Sequence, residues 1–144
     1  MTAPPPKAHR IIIHSLDHAR AALAVAAAAG VPVTLASAEG AGGYAGPLWF
    51  KALVETALSE HPGMAAACVL DCADEAGTTL AALRAGLKRV RFTGTDEVRQ
   101  RLAAIAAQLG AEIESGEALP ALDLLDASDP LRACHAYLAG NKTA

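Results

Sequence analysis

The chain has 144 residues, 53% of them apolar and 19% charged, a balance that excludes a disordered tail and fits one domain with a buried core. A net charge of -3 supplies no field to gather nucleic acid, and the longest apolar run, residues 19–33, is broken by Arg20, Gly30 and Pro32 and is too short to span a bilayer. Neither a nucleic-acid nor a membrane partner is expected. Alanine fills 36 positions against 3% aromatic residues, so the core must be built from small side chains with closely packed backbones.

Residues 1–9, opening Met1-Thr2-Ala3-Pro4-Pro5-Pro6-Lys7, lack the pattern of a secretory signal and read as a flexible Pro-rich arm ahead of a single α/β domain over 10–144. Ile11-Ile12-Ile13-His14 is a β-branched run, hence a strand buried on both faces. Ser15 or Asp17 caps a helix that runs to about Ala29, and Gly30 stops it. A second strand over 31–36 leads to a glycine-rich loop over 37–46. Pro47 then stands at a favourable first helical position, with Trp49, Leu53, Val54, Ala57 and Leu58 at helical spacing.

Residues 66–72 form a third strand and 74–85 a helix stopped by Gly86. Residues 89–93 form a fourth strand. Thr95 or Asp96 caps a helix whose stripe is Val98, Leu102, Ile105 and Leu109, and 111–114 is a short fifth strand. The remainder, 119–140, reads as two short helical pieces, the second opened by Ser128-Asp129-Pro130.

Five strand–helix units of this length predict a mostly parallel five-stranded sheet in a three-layer, flavodoxin-like or Rossmann-like α/β fold. The alternative is half of a (β/α)8 barrel completed by self-association. If the fourth and fifth strands are neighbours, Arg89 and Arg91 share a sheet face with Glu112 and Glu114 and pair across it.

In parallel α/β folds ligands meet the carboxyl ends of the strands. Those ends are His14-Ser15, then Ser37 with Gly40, Gly42 and Gly43, then Asp71-Cys72, then Thr93-Gly94-Thr95. Hydroxyls, small residues and helix starts on one rim suit a small anionic or phosphate-bearing ligand. His14, Asp71 and the 37–46 loop are expected to converge in one pocket.

The loop contains the letters GxGxxA from Gly40, a weak match to a dinucleotide fingerprint, because Pro47 delays the helix that must begin inside the glycines. Asp71 ending the third strand, with a threonine near the end of the fourth, resembles the phosphoacceptor arrangement of response-regulator receiver domains. That family holds an acidic pair after strand one and a lysine after strand five, where this chain has His14-Ser15 and Ser115-Gly116. Residues 76–86 resemble one strand–helix unit of phosphate-binding barrel aldolases, without a Schiff-base lysine on a strand.

His9, His14, Asp17, His18 and Cys72 lack any diagnostic metal-ligand spacing, so no metal is assigned, and no cofactor is identified. Cys68 shares a strand face with Cys72 and reads as core, while Asp71 beside Cys72 raises that thiol's pKa and argues against a nucleophile. A Ser15, His14 and Asp71 triad lacks a nucleophile elbow. The odd number of cysteines, Cys68, Cys72 and Cys134, fits a reducing, cytoplasmic setting.

Two functions are consistent with these features. One is a small-ligand-binding α/β domain acting through the rim; the other is a non-catalytic assembly module. The helix over 19–29 has Arg20 as its only polar side chain, which predicts cover on both sides, by the sheet and by another subunit or the C-terminal helix. A homo-oligomer, most simply a dimer, is expected, with this helix or the charged sheet face at the contact.

Overall fold

The computed structural model describes residues 8–142, so most of the arm expected over 1–9 lies outside the described residues. The elements, in chain order, are β1 (His9–Ile12), α1 (Leu16–Ala29), β2 (Val33–Ala36), α2 (Ala41–Tyr44), α3 (Pro47–Ser59), β3 (Ala66–Asp71), α4 (Ala76–Arg84), β4 (Arg89–Arg91), α5 (Asp96–Gln108), β5 (Glu112–Glu114), β6 (Leu122–Asp123) and α6 (Pro130–Lys142). The strands form an all-parallel sheet in the order β5-β4-β3-β2-β1-β6, flanked by helices, a Rossmann/flavodoxin-like α/β fold.

Three readings of the sequence are corrected. The sheet has six strands and not five, because the first of the two helical pieces expected over 119–140 contains β6. A two-residue strand in Leu119-Pro120-Ala121-Leu122-Asp123-Leu124-Leu125 is too short for period-two alternation to emerge. The glycine-rich stretch likewise contains one helical turn, α2, where a loop was expected. The half-barrel alternative also gives way: β1 to β5 run in chain order, but β6 joins on the far side of β1, so the winding reverses once.

Contacts divide the chain into two compact units. Among the described residues, the first holds those up to Ala36, Leu53–Ala67 and those from Leu119 onward. In it β1 pairs with β2 (Ile11 opposite Leu35) and with β6 (Ile12 opposite Asp123), and the Leu124 N–H continues the ladder to the Ile12 carbonyl at 3.1 Å. Ile11, Ile13, Val33, Leu35 and Leu124 are fully buried with Ala19, Ala22, Leu23 and Ala26 of α1. Ser15 caps α1 by accepting the His18 N–H, and Gly30 ends it in the left-handed conformation at φ 68°. α6 packs along α1 and bears the buried Cys134 and Leu138, so the C-terminal helix supplies the second cover that the alanine-rich sequence called for. Its start is capped by Asp129, which accepts the Arg132 N–H at 3.2 Å.

The second unit holds Ser37–Ala52 and Cys68–Ala118. Here Leu70 stands opposite Val90 and Asp71 opposite Arg91, while Arg89 and Arg91 stand opposite Glu112 and Glu114. The expected cross-strand pairing occurs: Arg91 Nη1 lies 3.2 Å from Glu114 Oε2, and Arg89 Nε lies 3.8 Å from Glu112 Oε2. Phe50, Val69, Leu70, Val90 and Phe92 form the buried apolar side, with Ala82 and Leu83 of α4 and Leu102 and Ala106 of α5. Among the described residues, no helix is long and apolar enough to cross a membrane.

Candidate functional site

In the second unit the rim residues are drawn together by one carboxylate. Asp71 Oδ1 accepts the Gly40 N–H at 3.0 Å and the Ala73 N–H at 2.8 Å, and Oδ2 lies 3.5 Å from Arg91 Nε. Its own N–H donates to Ser37 Oγ at 2.9 Å. Arg91 is held in turn by Glu114 and by the carbonyl of Gly116. Ala73 is thereby fixed at φ 52°, a left-handed conformation unusual for a residue with a side chain. Ser37, Gly40 and Asp71 thus meet and are committed to one another.

Gly42 and Gly43 are packed from behind. A Cβ on Gly42 would lie 2.6 Å from Cys72 Sγ, and one on Gly43 would lie 2.6 Å from Glu75 Oε2. Two carboxylates, Asp71 and Glu75, therefore stand where a phosphate cradle would need donors. The four-residue α2 also lacks the long helix start on which a pyrophosphate rests. Burial is the main cause that pushes the Cys72 thiol up to about 11; Thr79 hydrogen bonding opposes it, while Asp71 and Glu75 add to it. At neutral pH it is a protonated packing group and no nucleophile.

Thr93 and Thr95 also form bonds within the unit. The Thr93 N–H donates to the Ala73 carbonyl at 2.8 Å, and Thr95 Oγ1 caps α5 by accepting the Val98 N–H. A Cβ on Gly94 would fall 2.3 Å from the Phe92 ring.

The first unit assembles a different group around His14 and Ser15. His14 Nε2 and Asp123 Oδ1 are 2.6 Å apart, joining the end of β1 to β6. The His14 backbone N–H donates to His18 Nδ1 at 3.0 Å, and the two rings meet edge to face with centroids 5.8 Å apart. Because Nδ1 of His18 accepts, its ring proton must reside on Nε2, which defines a neutral tautomer. Burial and then His14 lower the His18 pKa, with Asp17 and Asp123 opposing. At Asp123, burial raises the pKa, but the His14 bond and the Leu125 N–H outweigh it and hold the carboxyl below its ordinary value.

This second group sits where the winding reverses, between β1 and β6. Open parallel sheets receive ligands outside the carboxyl ends of the strands at such a reversal of strand order. Asp123 is the residue that sequence reasoning missed. Its only signal was a lone acid among leucines, which is uninformative until β6 is known to pair with β1. His18 appeared only in a spacing argument for a metal; among the described residues, no group of three or more His, Cys, Asp or Glu side chains is arranged to hold one. No protein-family model and no curated protein matches this sequence.

Proposed function

We propose that this parallel α/β domain binds a small molecule at the carboxyl ends of β1 and β6, through a single anionic group such as a carboxylate or a phosphate monoester. The observation that carries this reading is the 2.6 Å His14–Asp123 pair across the winding reversal. Asp123 orients the His14 imidazole, and His18 offers an Nε2–H donor beside it. The first turn of the 14-residue α1 adds backbone donors, while Asp17 and Asp123 disfavour a ligand that carries several anionic groups. The three free thiols fit a reducing cytoplasm.

Calorimetric titration with inorganic phosphate and a panel of small carboxylates tests the reading. Binding by the wild type, weakened about tenfold or more by His14→Ala, supports it, since a charge-assisted hydrogen bond is worth about 1.5–3 kcal/mol. Binding that is unchanged in His14→Ala refutes it, as does a panel with no binder at millimolar concentration.

A second reading, self-association, draws on the exposed Tyr44, Leu48 and Trp49 at the start of α3 and just before it. Light scattering at micromolar concentration distinguishes a dimer from a monomer.

A further inference from the structure

The turn from β1 into α1 is held by an interaction that exists in only one protonation state. His18 Nδ1 must be unprotonated to accept the His14 N–H at 3.0 Å. A proton there would set two donors face to face, and the bond would be lost. Ser15 Oγ ties the same turn by accepting the His18 N–H at 3.1 Å, so His18 serves it through both backbone and ring. The groups facing His18 are Asp17 on its own helix, His14 at the end of β1 and Asp123 on β6. Asp129 at the start of α6 lies with Asp17 and Arg20 around a groove of about 380 Å³ between α1 and α6. Asp17 and Asp123 are the anions that an imidazolium at His18 would turn toward.

We propose that His14, His18 and Asp123 form a proton-sensitive latch: with His18 neutral the β1–α1 turn is closed onto His14 and Asp123 holds the His14 ring, whereas protonation of His18 breaks the His14 N–H bond and makes His18 compete with His14 for Asp123. β6 is two residues long and bears Asp123, so this competition bears on the shortest strand of the sheet. The latch is a property of the turn and stands or falls without reference to a ligand. It adds a pH-dependent switch to the carboxyl ends of β1 and β6, whatever binds there.

The test is nuclear magnetic resonance of the ligand-free full chain between pH 7.5 and 5. The His14 amide shift should titrate with the same midpoint as the His18 ring nitrogens. Its hydrogen exchange, corrected for the intrinsic pH dependence, should quicken about fivefold, as expected for loss of one hydrogen bond. His18→Asn places an oxygen where Nδ1 stood, so the part of the His14 amide titration that follows the His18 ring should then disappear. Different midpoints for the His14 amide and the His18 ring would overturn the latch. So would a proton on His18 Nδ1 at pH 7.5, or an Asn variant that titrates like the wild type. If His18→Asn does not fold, co-titration within the wild type decides alone.

Discussion

Replacing Asp71 separates a scaffold carboxylate from a ligand-binding one. The residue is 8% exposed, and its carboxylate accepts N–H donors from Gly40 at 3.0 Å and Ala73 at 2.8 Å. Hydrogen bonds to a charged acceptor contribute about 1.5–3 kcal/mol each. Arg91 keeps Glu114 and the Gly116 carbonyl, so removing Asp71 does not leave a bare buried cation. The expected cost of Asp71→Ala is therefore about 3–5 kcal/mol, a large share of the roughly 5–15 kcal/mol typical of a domain. Asp71→Asn retains an oxygen for both N–H groups but turns an amide nitrogen toward Arg91 Nε, where an ion pair at 3.5 Å stood. It should cost about 1–2 kcal/mol. Urea unfolding followed by circular dichroism should rank wild type above Asn above Ala, with the slope unchanged. A loss below about 1 kcal/mol for Asp71→Ala, or equal losses for the two variants, would refute the clamp. Binding at the ends of β1 and β6 should survive Asp71→Asn.

Stability should also depend on pH through His18. Its folded pKa lies below the ordinary 6.5, so the unfolded chain binds more protons just below that pH. The urea midpoint should therefore fall as pH drops from 7.5 to 5.5, and His18→Asn should flatten this part of the profile. The thiols of Cys68, Cys72 and Cys134 are pushed by burial to about 12, 11 and 11, and Cys68 is desolvated at sulfur although the residue keeps partial exposure. Alkylation of native protein at pH 8 should thus be about a hundredfold slower than in urea, as read by mass spectrometry; equal rates would show the thiols to be accessible. Gly94→Ala forces a Cβ to within 2.3 Å of the Phe92 ring and should cost about 1–3 kcal/mol. Adding Phe92→Leu should make the double variant less destabilised than the sum of the two, and strict additivity in the denaturation midpoints would contradict the contact.

Much of this protein is determined locally. The Ser15 cap, the Gly30 stop, Pro47 at the head of α3 and the Thr95 cap are set by side-chain hydrogen bonds and backbone conformations within a few residues. The alternation of strands and helices then dictates a parallel α/β sheet. Period-two reading of Arg89, Arg91, Glu112 and Glu114 placed all four on one sheet face, because alternation is a property of the strand itself.

Strand order and the partners of each rim residue required tertiary structure. Nothing within Leu122-Asp123 marks it as a strand until β1 offers its ladder, and only then does Asp123 come to His14. The same holds for Asp71. As a lone acid at a strand end it reads as a ligand residue, yet Arg91 on the neighbouring strand and the Gly40 and Ala73 N–H groups consume it. Local propensity specifies which residues end a strand. Which of those ends stay open to a ligand depends on contacts between residues far apart in sequence, and those are settled only when the sheet assembles.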